Sequence, residues 1–76
     1  MTSHKVYDYI SMEHVDHSEK KLTRVIFDNG SILIGHLLME NQNIGDSLKT
    51  NIWNFRIEGK EATQIQGEKI EQLQIV

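Results

Sequence analysis

A chain of 76 residues without a cysteine makes one small domain that neither disulfides nor thiolate-bound metal can reinforce. Its net charge of −3 lacks the basic excess expected of an autonomous nucleic-acid binder. A core this small is marginal by itself, which leaves assembly as the expected support.

Residues 6–12 fit two patterns. Val6, Tyr9 and Ile10 lie on one helical face, yet Val6, Ile10 and the two tyrosines also suit a strand. Residues 13–21 are polar and charged and read as a loop or a frayed helix end, so residues 1–21 form an N-terminal extension ahead of the main domain at 22–76. Residues 22–28 read as a strand, with Thr23, Val25 and Phe27 alternating against Arg24, Ile26 and Asp28. Asn29-Gly30 then signals a hairpin of the type I′ kind, which needs positive φ at both central residues. Residues 32–39 are almost wholly apolar, as in a strand buried on both faces or against a neighbouring subunit. Gly35 inside it should mark a bend or bulge.

Residues 41–50 are polar and contain Gly45-Asp46, which predicts a long loop. Residues 51–57 resume alternation, with Trp53, Phe55 and Ile57 sharing a face expected to be core or subunit interface. Residues 58–61 turn the chain, and residues 62–66 and 69–76 form the last two strands around Gly67-Glu68. No proline interrupts these segments. Five short strands punctuated by turns predict an all-β, five-stranded antiparallel barrel of SH3-like form.

The residues Thr23, Val25, Phe27, Asn29, Gly30, Gly35 and Leu37, followed by Ile65, Gln66, Gly67, Ile70, Leu73 and Ile75, give the chain a resemblance to the Sm/LSm family, which includes the bacterial Hfq proteins. The similarity covers roughly residues 22–76. It implies a strongly bent barrel, usually preceded by a short helix, in which the fourth strand of one subunit pairs with the fifth of the next to close a homo-oligomeric ring. It also implies single-stranded RNA around the pore, held by an Asp, an aromatic or His, and an Asn after the second strand, with an Arg-Gly turn opposite.

Against that pattern the family's Asp falls on Asn41. The matching Asn is Asn51 or Asn54, no aromatic lies between Asn41 and Asn51, and Gln66 stands where the arginine belongs. Glutamine still hydrogen-bonds a base edge but removes a cation and a planar stacking group. The candidate RNA-binding set is therefore Asn41, Asn54, Gln66, Gly67 and Lys69. Gly67 would allow close backbone approach, and Lys69 would meet phosphate. Lys20 and Lys21 would add phosphate contacts if they share a ring face.

Other constellations carry less. Glu13, His14, Asp16 and His17 have metal-like spacing but read better as a solvated linker, and His36 reads as a satisfied buried or interface histidine. Ser31 lacks an obvious base, and the carboxylates are scattered. The expectation is a non-enzymatic protein with no cofactor and no small-molecule substrate. No apolar run reaches membrane-spanning length and no signal peptide is evident, which predicts a cytoplasmic protein with no membrane partner. Its predicted role is weak binding of single-stranded RNA by a ring. The alternative is a ring that serves protein interaction or assembly and has lost RNA binding.

Overall fold

The computed structural model describes residues 1–13, 22–38 and 44–76. The helical pattern prevails at the N-terminus, where α1 spans Ser3–Glu13. Thr2 opens it: its side-chain oxygen accepts the Lys5 backbone N–H (3.3 Å) and its carbonyl accepts that of Val6 (3.1 Å). Val6 and Ile10, one turn apart, are fully buried in the main core. Burying two such side chains contributes about 3–6 kcal/mol, so the helix is an integral part of the domain.

Strands β1 (Thr23–Phe27), β2 (Ile32–Leu37), β3 (Ile52–Ile57), β4 (Ala62–Gln66) and β5 (Ile70–Ile75) form one antiparallel sheet in the order β4-β3-β2-β1-β5. Val25, Leu37, Trp53, Phe55, Ile65 and Ile70 line its inner face with Val6 and Ile10 to make the core. The register explains the layering, since Leu37 lies opposite Phe55 and Trp53 opposite Ile65. Each strand thus delivers its apolar alternate to one side.

Five expectations need correction. The sheet is open and not a closed barrel: among the described residues β4 and β5 each pair on one side only, and they do not pair with each other. The predicted long loop instead contains a helix, α2 (Ile44–Thr50). Gly45 argues against helix by about 1 kcal/mol, but Ile44 and Leu48 lie one turn apart and pack against the core, which outweighs it.

The turn at Asn29-Gly30 is also different in kind. Positive φ occurs at Gly30 (88°) but not at Asn29. Phe27 accepts the Gly30 N–H at 3.0 Å and donates to the Ser31 carbonyl at 2.9 Å, which is a type I turn closed by a glycine bulge. Of the two readings of β2, burial of both faces within the chain does not hold: Ile32 (55% exposed) and Ile34 (37% exposed) face solvent.

Gly35 keeps regular pairing with Thr23 on one side and Ile57 on the other. The register shift in the sheet falls instead between Ile26 and Phe27, against β5. What Gly35 supplies is close approach, because a Cβ there would overlap the Arg56 carbonyl.

Two substitutions test this arrangement. Gly35→Ala should cost about 1–3 kcal/mol by forcing β2 from β3, and Ile10→Ala about 2–5 kcal/mol by leaving a cavity under α1. Urea unfolding midpoints of the two variants would measure both. An Ile10→Ala variant as stable as the parent would detach the helix from the core.

Candidate functional site

The β3–β4 register places Ile52 opposite Gln66, so the residues just outside that pair, Asn51 and Gly67, meet. The Gly67 N–H donates to the Asn51 carbonyl at 2.7 Å. This junction brings together the end of α2, the start of β3 and the 3-10 turn Gly67–Lys69 that leads into β5.

Asn51 organises the junction. It ends α2 in the left-handed region (φ 58°), with its N–H bonded to the Ser47 carbonyl at 2.7 Å. Asparagine tolerates that conformation better than other residues with a Cβ. Its side chain is committed at both atoms: Nδ2 donates to the Met1 carbonyl and Oδ1 accepts the Trp53 indole N–H, each at 2.9 Å. Trp53 is fully buried, so this bond satisfies a donor that water does not reach. A Cβ at Gly67 would overlap the Asn51 side chain.

Two further bonds hold the end of the 3-10 turn and the residue after it. The Asp28 N–H donates to the Lys69 carbonyl (2.9 Å), and the Met1 amino group donates to the Ile70 carbonyl (2.8 Å). On the other helix, Ser3 Oγ donates to the Leu48 carbonyl at 2.8 Å and locks α1 to α2. The backbone of the site is therefore fixed by hydrogen bonds to residues distant in sequence.

The predicted residues divide accordingly. Gln66 and Lys69 are exposed beside the junction, and Gly67 is buried within it. The missing Cβ of Gly67, predicted to admit RNA, leaves space that the Asn51 side chain occupies. Asn54 sits apart, opposite Gln64 and half-buried. Asn41, Lys20, Lys21 and the His14–His17 cluster lie outside the described residues. Of the two possible matches to the family's Asn, Asn51 is the one at the junction.

The sequence reading missed Lys49, exposed in the last turn of α2 and two residues before Asn51. Lys69 lies two residues beyond Gly67, so each of the two segments that meet at the Asn51–Gly67 bond carries an exposed lysine. The missed signal was Ile44 and Leu48 at helical spacing, which makes Lys49-Thr50-Asn51 a helix end. Asp46 and Glu68 are exposed on the same two segments, so the formal charge of the four residues is balanced.

Trp53 and Phe55 are core residues, as their shared face predicted, and neither presents a ring to solvent. His36 is half-buried with Nε2 3.4 Å from Glu58 Oε2. Among the described residues no group of three or more metal-ligating side chains converges. None of the described helices is long and apolar enough to cross a membrane.

No protein-family model matches this chain, and no curated protein or solved structure shows significant similarity to it.

Asn51→Ala should cost about 2–4 kcal/mol, combining an orphaned indole N–H with an alanine forced to positive φ. Asn51→Gly should recover about 1–2 kcal/mol of that loss, because glycine accepts the backbone conformation but not the side-chain bonds. Thermal unfolding of the pair separates the two contributions. Equal melting temperatures would mean that backbone strain plays no part.

Proposed function

We propose that the protein is an Sm-like subunit that assembles into a homo-oligomeric ring and binds single-stranded RNA weakly around the pore. The observation that carries this reading is the pair of open edges, β4 and β5, on a helix-capped sheet of order β4-β3-β2-β1-β5. Each copy offers one edge of each kind. Head-to-tail pairing of β4 with a neighbour's β5 satisfies both, and it closes into a ring if the rotation between copies permits. Unpaired edges favour such assembly, and Ile75 (51% exposed) and Val76 (55% exposed) at the end of β5 are apolar surface that it would cover.

In this reading Gln66 hydrogen-bonds base edges while Lys69, helped by Lys49, meets phosphate. Affinity is low for a physical reason. The buried Trp53 offers no stacking surface, and base–aromatic stacking is worth about 1–3 kcal/mol per base elsewhere. Repetition around a ring compensates in part.

A second reading, a ring that serves only assembly or protein interaction, is favoured by one observation. The Asn51 side chain is held at both Nδ2 and Oδ1 by Met1 and Trp53, so it is fixed in orientation and engaged inside the protein at each polar atom before any base arrives.

Native mass spectrometry of gently purified protein at low salt separates these readings. The proposal expects a ring mass with additional nuclease-sensitive mass. A bare ring would support the assembly role, and a monomer would remove the basis for both. In RNA titrations, Gln66→Ala/Lys69→Ala should weaken binding with the ring intact. The slope of log affinity against log salt should also flatten, by about 0.7 for each phosphate that is no longer neutralised. Unchanged binding would move the site elsewhere.

A further inference from the structure

The turn between β1 and β2 carries chemistry independent of the junction. Five asparagines occur in the chain, and only Asn29 is followed by glycine. Asn29 and Gly30 are both exposed, and a Cβ built at Gly30 meets no atom within 4 Å. Asn29 Oδ1 accepts the Ser31 N–H at 2.9 Å. That donor points at the oxygen that gains negative charge when a nucleophile adds to the side-chain carbon, as in an oxyanion hole.

We propose that Asn29 is a site of spontaneous, base-promoted deamidation. The Gly30 backbone nitrogen gives its proton to base and bonds to Asn29 Cγ. The tetrahedral adduct collapses, the bond from Cγ to the amide nitrogen breaks, and that nitrogen leaves as ammonia after taking a proton from water. The product is a five-membered succinimide. Water adds to one of its two carbonyls and opens the ring to aspartate or isoaspartate. No oxidant or reductant is involved.

One contact opposes the reaction. The Gly30 N–H is held by the Phe27 carbonyl at 3.0 Å, so the nucleophile becomes available only when the turn opens. The loop is exposed and glycine is conformationally free, which places this opening at the low end of local stability. At the other four positions the following residues, Gln42, Ile44, Ile52 and Phe55, carry side chains that hinder ring closure. Asn51 is further restrained by the bonds to its amide.

The modification has a structural target. Asp28, the preceding residue, donates its N–H to the Lys69 carbonyl. Isoaspartate inserts a methylene into the backbone between Asp28 and Gly30, so the turn no longer fits both Phe27 and Lys69. Aspartate adds a negative charge beside Asp28 but leaves the backbone length unchanged.

The test incubates the full chain at mildly alkaline and mildly acidic pH, then separates charge variants and maps peptides. The expected result is an acidic species that accumulates faster in alkali, maps to Asn29 and is mostly isoaspartate. It should be absent from Asn29→Ser. Hydrogen exchange on the isolated isoaspartate form should show lost protection at the Asp28 amide, whereas Asn29→Asp should retain it. No alkaline growth, or first appearance at Asn41, Asn43, Asn51 or Asn54, would overturn the proposal. Equal loss of protection in Asn29→Asp would overturn the role given to the inserted methylene.

Discussion

The structure depends on one residue held in the left-handed conformation. Asn51 uses every polar group it has: its N–H ends α2, its carbonyl holds Gly67, and its side chain joins Met1 to Trp53. In a domain whose net stability is of order 4–11 kcal/mol, four such bonds at one junction are a large share of what distinguishes this packing from a looser one. They also set the direction in which β3 enters the sheet, and through Trp53 they orient the largest core side chain. The 3-10 turn, the N-terminal segment and α2 all take their positions from this residue.

That economy bears on function. A polar cluster at the meeting of two loops looks like a binding pocket when read along the chain, because its residues have free hydrogen-bonding groups until they are placed. Once Asn51 is placed, its groups are internal and Gly67 is its packing partner. What faces solvent there is a mixed polar set that includes Gln66, Lys69 and Lys49 along with Asp46 and Glu68. Among the described residues the arrangement encloses no pocket at the junction, and it leaves β4 and β5 each with one unpaired edge.

Much of the fold was legible in the sequence. The alternation of Thr23, Val25 and Phe27, and that of Trp53, Phe55 and Ile57, predicts strands and their inner faces directly. The turns at Gly30 and Gly59 follow from residues that accept positive φ, and both have it. Helix α2 was obscured because Gly45-Asp46 is a strong local turn signal, whereas the force that overrides it, burial of Ile44 and Leu48, is tertiary. The apolar run of β2 suited two buried faces or one face against a neighbouring subunit, since sequence composition does not reveal which side lacks a covering layer. For the candidate site, Gln66 and Gly67 were singled out through motif spacing and Lys69 as a substitute cation, and the structure places all three beside or within the junction. Lys49 and the internal commitment of Asn51 were not, because both depend on where α2 ends.

The sheet order has a kinetic consequence. β1 lies between β2, its immediate successor, and β5, the last strand. The β1–β2 and β3–β4 hairpins close over a few residues, while Thr23 must find Ile75 and Met1 must find Ile70. Loop-closure entropy makes such distant pairings late events. Until they form, β1 exposes an unpaired edge and α1 has no complete surface on which to dock. The contacts that bring the two ends of the sequence together thus make folding to this state a single, late and collective step.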